Sequence, residues 1–281
     1  MAGSKLDGRV AFITGTSRGI GKALALELAE KGVKVVSTGK TVEPRDELPG
    51  TIRQTTEEIR ERGGESIWKE LDVRDEESVE AAIADTAEEF GGLDILINNA
   101  GAIHMAPFEE TPPKRFDLLA GVNVRGTYVT TQAALPHLKE SDRAHVLAFS
   151  PPMANPARPG MAAYAVSKYG MTVVMQSLAG ELSGKEIGVN SLWPVSAIES
   201  EATRHFGMGS PEDWRTPQIV CDAVTEILRR DPAECTGNAF YDEELLREAG
   251  VEEFDRYNVV EGSSPGPMSA HLFDPEYERP D

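Results

Sequence analysis

The stretch Thr14-Gly15-Thr16-Ser17-Arg18-Gly19-Ile20-Gly21 constrains this chain most, because it joins a buried-strand pattern, Val10 to Thr14, to an amphipathic helical one, Ile20 to Lys31. A glycine-rich turn at such a junction lets the backbone approach a phosphate at a helix N-terminus. Gly32 closes that helix. Further apolar runs at Val33 to Thr38, Ser66 to Leu71, Leu93 to Asn98, His145 to Ser150 and Gly188 to Trp193 read as strands. Helical patterns fall at Thr51 to Arg62, Glu76 to Phe90, Lys114 to Lys139 and Ala163 to Ser183. This alternation predicts one α/β domain, a parallel sheet wrapped by helices. One loop, carrying Glu43-Pro44-Arg45 and Leu48-Pro49-Gly50, is longer than such connections usually are.

A chain of 281 residues, 40% hydrophobic, can bury a sizeable core, and no repeat suggests a solenoid. Acidic residues outnumber basic ones 47 to 28, for a net charge of -19, which disfavours nucleic acid or an anionic membrane as partner. An acid-rich, Lys-poor surface suits a salt-rich cytosol, and equally an ordinary acidic soluble protein. Cys221 and Cys235 are the two cysteines, too few for a disulfide framework, and the N-terminus lacks an apolar signal core. A cytoplasmic location is expected. The five histidines show no ligand spacing, so no metal site is expected, although His104 sits on a loop where ligands bind in open α/β sheets.

The G-x-x-x-G-x-G spacing after Thr14 resembles the cofactor turn of the short-chain dehydrogenase/reductase family. Other motifs of that family follow in order. Asp72-Val73 matches its adenine-contacting dipeptide, Asn98-Asn99-Ala100-Gly101 its N-N-A-G, Asn123 its helix asparagine, and Tyr164 with Lys168 its Y-x-x-x-K. The resemblance spans about Leu6 to Tyr241. It implies an α/β fold with a single Rossmann-like, doubly wound parallel sheet and helices on both faces, in a domain covering residues 1–262. The acidic, Pro-rich stretch 263–281 reads as an irregular tail lying on the surface or crossing to a partner. The resemblance further implies a nicotinamide dinucleotide held by Gly15, Ser17, Arg18, Gly19, Ile20, Gly21, Asp72, Val73, Asn98, Ala100, Lys168 and Pro194. It also implies a homo-oligomer, dimer or tetramer, formed through helices Lys114 to Lys139 and Ala163 to Ser183.

An acidic residue after the second strand binds the 2′-hydroxyl of NAD and repels the 2′-phosphate of NADP. Here Gly39 stands at that place, followed by Lys40, and Arg18 lies in the turn. Two cations can then face the extra phosphate. NADP(H) is the expected cofactor.

Tyr164 and Lys168 share one helix face. The resemblance implies that Tyr164 is the general acid/base, that Lys168 favours its phenolate and holds the nicotinamide ribose, and that Asn123 anchors a water in the proton relay. The family serine that binds the substrate carbonyl falls on Pro151, which offers neither hydroxyl nor amide donor. Either Ser150 turns into the site or the serine role is lost. After the sixth strand, Pro194-Val195 replaces the common Pro-Gly. Ser150-Pro151-Pro152, Leu192-Trp193-Pro194 and Thr236-Gly237-Asn238 resemble the hydroxysteroid dehydrogenase-like branch, whose larger members carry an appended sterol-carrier module.

The expected activity is hydride transfer between NADP(H) and a small-molecule substrate, a lipophilic carbonyl compound or secondary alcohol. Met153, Met161, Phe206, Met208 and Trp214 fall in the segments that cover substrate in this family. The alternative is a catalytically weak NADP(H)-binding scaffold or redox sensor.

Overall fold

Strands covered on both faces must be apolar along their whole length, and this requirement orders the sheet. The computed structural model describes residues 6–44, 49–154 and 158–280. Arg45 and Leu48 of the long loop, most of the N-terminal segment and Asp281 lie outside the described residues. The strands are β1 (Val10–Thr14), β2 (Lys34–Gly39), β3 (Ser66–Glu70), β4 (Ile95–Asn98), β5 (Ala144–Phe149) and β6 (Ile187–Trp193), then the two-residue β7 (Ala197–Ile198) and β8 (Trp214–Arg215), and β9 (Ala239–Tyr241). Seven of them form one sheet in the order β3-β2-β1-β4-β5-β6-β9, parallel throughout, while β7 pairs with β8 apart from it. β1, β4, β5 and β6 are buried along their lengths, whereas β3, at the edge, alternates. The strand order reverses between β1 and β4, which opens a crevice at their carboxyl ends, the place where doubly wound sheets bind ligands.

The helices are α1 (Gly19–Glu30), α2 (Ile52–Glu61), α3 (Glu76–Phe90), α4 (Pro113–Leu119), α5 (Gly126–Leu138), α6 (Ala162–Glu181), α7 (Glu201–His205), α8 (Gln218–Arg229) and α9 (Asp242–Glu248). Local chemistry sets several ends. The Thr51 side chain caps α2 by accepting from the Gln54 amide, Asp75 caps α3 through Ser78, and Gly91 (φ +81°) ends α3 in the left-handed region. The helix expected over Lys114 to Lys139 is divided by a π turn, Ala120–Arg125, which carries Asn123. One core packs Leu24, Leu28, Val224 and Leu245 against one face of the sheet. Another packs Ile83, Val129, Met171 and Met175 against the opposite face.

The segment after residue 262 differs from its expected place. It has no strand or α-helix among its described residues, yet it does not simply lie on the surface. Ala270, Phe273 and Tyr277 are buried in a third cluster with Tyr164, Trp193, Val195 and Tyr241. The spacing i, i+3, i+7 had brought three apolar side chains to one side of a polar stretch. Replacing Phe273 with Ala should lower the unfolding free energy by about 3–5 kcal/mol in urea denaturation. A loss below about 1 kcal/mol would contradict this packing.

Candidate active site

Beyond β1 the backbone enters the left-handed region at Gly15 (φ +77°) and Gly19 (φ +57°), where a side chain would be strained. A Cβ on Gly21 would lie 2.2 Å from the Gly15 carbonyl oxygen and 2.4 Å from Asn99 Nδ2. The turn is fixed from the β4 side. Asn99 Nδ2 donates to the carbonyls of Thr14 at 2.8 Å and Gly15 at 2.9 Å. Thr14 Oγ1 accepts from the amides of Asn99 and Ala100 at 3.0 and 2.9 Å. α1 then starts with no side-chain cap and no acidic residue in its first turn, so its amide end favours an anion.

From this turn one cavity of about 530 Å³ runs along the carboxyl edge of the sheet. It brings together Gly15, Ser17, Arg18, Gly19, Ile20, Gly21, Lys40, Asp72, Val73, Ala100, Tyr164, Lys168 and Pro194 of the expected residues. Asn98 is not among the lining residues. Its buried amide donates to Thr131 Oγ1 at 3.0 Å, while Asn99, one position on, reaches the turn. Successive side chains at a strand end point opposite ways.

At one end, Asp72 forms ion pairs with Lys40 at 3.0 Å and with Arg74 at 2.7 Å. Chiefly through Arg74, then Lys40, its carboxyl is held far below the usual carboxylate range. Arg18 Nε donates to the Pro49 carbonyl at 3.1 Å. A Cβ on Gly39 would meet Ile52 Cγ2 at 3.2 Å, so an acidic side chain has little room there.

At the other end are Tyr164 and Lys168, both buried on α6. Burial pushes the Tyr164 phenol well above its ordinary value and lowers the Lys168 amine to about 7. Lys168 Nζ donates to the Phe149 carbonyl at 2.7 Å and lies 5.2 Å from the centre of the Trp193 ring. Asn123 is fully buried and lines no part of the cavity. Its Oδ1 accepts from the Ala102 amide at 2.8 Å, and its Nδ2 donates to the Ala102 carbonyl at 3.0 Å and to Ser167 Oγ at 2.9 Å. It ties the loop after β4 to α6. Ser150 does not turn into the cavity: it is fully buried, and its hydroxyl accepts from Thr172 Oγ1 at 2.9 Å. The same Thr172 hydroxyl lies 2.7 Å from the Pro151 carbonyl, which fixes the two residues facing α6.

Val195 needs no glycine, since no described residue other than glycine has positive φ. Its amide donates to Asp242 Oδ1 at 2.8 Å and its carbonyl accepts from Ser269 and Ala270, each at 3.0 Å. His104 lines no part of the cavity, although Ile103 and Met105 on either side do. Of the apolar residues expected over the substrate only Met208 lines it; Met161 and Trp214 are buried, and Met153 and Phe206 are exposed. Asn99, Ser269 and Leu272 line it unforeseen. Asn99 had a signal, its place in the N-N-A-G motif.

The family described as short chain dehydrogenase matches residues 9–206. The chain is 45% identical over 261 residues to "Hydroxysteroid dehydrogenase-like protein 2" of Xenopus tropicalis, covering 92% of this chain and 62% of that protein. It thus spans less than two thirds of that relative's length. It resembles the crystal structure of a short chain dehydrogenase from Mycobacterium thermoresistibile, with a TM-score of 0.88 and 39% identity over 98% of this chain and 100% of that one. A 7α-hydroxysteroid dehydrogenase complexed with NADH and 7-oxo glycochenodeoxycholic acid is similar with a TM-score of 0.74 and 25% identity, over 85% and 94% of the two chains. With its glycine turn clamped by Asn99 and its Tyr164 and Lys168 at the far end of the same cavity, the chain belongs to the short-chain dehydrogenase family.

Proposed function

We propose that the chain is an NADP(H)-dependent oxidoreductase acting on a lipophilic carbonyl compound or the corresponding secondary alcohol. One observation carries the reading: a single cavity joins the capless start of α1 to Tyr164 and Lys168. The glycine turn opens on the cavity at the capless start of α1, where backbone amides can meet a pyrophosphate, so the residues fit the cofactor. Ser17, Gly19 and Ile20 would meet its phosphates. Lys40, Arg18 and Arg74 outnumber Asp72 where a 2′-phosphate would lie, which supports NADP(H).

When bound, the nicotinamide supplies or accepts the hydride. Tyr164, kept neutral by burial, holds its proton until negative charge develops on the substrate oxygen, then donates it. In the alcohol direction the phenol must first lose that proton, and the nearby Lys168 is placed to favour the phenolate when charged. Ile103, Met105, Leu118, Ile198, Met208 and Leu272 line the cavity and suit an apolar ligand.

Both cysteines are buried and free, which suits a reducing compartment, and the reading includes a cytoplasmic location. No helix among the described residues is long and apolar enough to cross a membrane. Exposed Phe116, Tyr128, Val166 and Val173 on α4, α5 and α6 support assembly with further copies through those helices.

The reading is tested with the purified chain, NADPH and a panel of ketones. Tyr164→Phe should reduce turnover by about 10²–10⁴-fold while NADPH affinity stays within about threefold, about 0.7 kcal/mol. Cofactor binding without turnover in the parent protein would favour the scaffold. Lys40→Asp should weaken NADPH at least tenfold, about 1.4 kcal/mol, and NADH less. Equal losses would place Lys40 away from the 2′-phosphate.

Lys168 gives a pH signature. Because its amine is lowered from 10.5 to about 7, the penalty for burying its charge is complete below about pH 7 and fades as pH rises toward 10.5. Lys168→Met should therefore show its largest gain in Tm over the parent near pH 6 and lose most of that advantage by pH 10. A gap that widened with pH in melting experiments would contradict the lowered amine.

A further inference from the structure

The segment after residue 262 walls the cavity with Ser269 and Leu272. Ser269 is held at both ends of its peptide unit: its amide donates to the Val195 carbonyl at 3.0 Å, and its carbonyl accepts from Trp193 Nε1 at 3.1 Å. Four residues on, the Phe273 ring lies 5.1 Å from Trp193 and 5.7 Å from Tyr164, centre to centre. The segment therefore touches both the proton donor and the indole beside Lys168. Arg279 secures it further, pairing with Glu243 at 2.8 Å and donating to Ser196 Oγ at 2.7 Å.

Beyond α6 the cavity is also lined by the hydroxyls of Ser200 and Thr203, and both are engaged. Ser200 Oγ caps α7 through the Thr203 amide at 3.1 Å, and Thr203 Oγ1 donates to the Ile198 carbonyl. Among the described residues none takes the Ser269 hydroxyl in a hydrogen bond, although Ser269 is only 5% exposed. Ile198 and Leu272 line the same cavity and offer no acceptor side chain, and Met208 offers only a weak thioether. A hydroxyl that is open to the cavity and has no protein partner can donate to a ligand that brings an oxygen to it.

We propose that Ser269 is a specificity-determining residue, donating a hydrogen bond to an oxygen of the substrate from a wall that Arg279 holds in place. This rests on the carbonyl-reductase reading above.

Two measurements on the full chain test it. With NADPH and androstane-3,17-dione, a neutral lipophilic diketone, Ser269→Ala should raise KM at least tenfold while kcat stays within about threefold, about 0.7 kcal/mol. An unchanged KM would overturn the proposal. The second measurement needs no turnover. Cys221 and Cys235 are buried, so Ser269→Cys places a reactive thiol where the parent has none exposed. N-ethylmaleimide should modify that variant, and NADP⁺ with the dione should slow modification at least tenfold. A thiol that does not react, or that reacts equally fast with the dione present, overturns the assignment. A parent protein inactive toward the dione counts against the carbonyl-reductase reading, and the thiol measurement then decides Ser269 by itself.

Discussion

The carboxyl edge of this sheet depends on the Asn99 side chain. β1 and β4 are neighbours whose following segments diverge, and the crevice between them would have no fixed shape if each exit were free. Asn99 spans the gap with two donated bonds to Thr14 and Gly15, and Thr14 returns two accepted ones to the β4 exit. These four bonds link backbone segments about 85 residues apart in sequence. They also explain why Gly15 and Gly21 must be glycines, since a Cβ on either would crowd Asn99. The start of α1 is thus held in place from the neighbouring strand.

A second layer of organisation sits around Val195. Asp242 holds its amide, the segment after residue 262 holds its carbonyl, and Arg279 and Arg215 converge on Glu243 next to it. Burial, with the adjacent Glu243, pushes the Asp242 carboxyl up to about 7. Buried ion pairs of this kind contribute little net stability compared with well-packed apolar groups, but breaking one partner away is strongly unfavourable. Their effect here is to fix where the chain goes after β6. Pro194, Ala197 and Ile198 consequently present a constant surface to the cavity.

What could be read from the sequence was what depends on short separations. The turn glycines, the Tyr164–Lys168 spacing and the covered strands all follow from periodicities of a few residues, and the structure brings those residues to one cavity. Side-chain direction at strand ends was harder to read, because one residue of phase decides it. Asn98 and Asn99 exchange places for that reason, and Ser150 faces Thr172 instead of the cavity. Asn123 lies in the π turn and bonds Ala102 and Ser167, partners that the motif match did not name. The wall formed by Ser269 and Leu272 was illegible because its partners, Trp193 and Val195, lie far back along the chain. Composition there suggested solvent, while the three apolar side chains at helical intervals pointed inward.

That long separation has a consequence for how the protein is made. Trp193 and Ser269 are 76 residues apart, and Ser196 and Arg279 83 apart, so closing these contacts requires ordering a long stretch of intervening chain. The turn, β1 to β6 and α6 precede that stretch in synthesis. A ribosome that has just released β6 has therefore already delivered the glycine turn, Tyr164 and Lys168, but has not yet built the wall opposite them. During that interval Phe273 is not yet available to cover the rings of Trp193 and Tyr164.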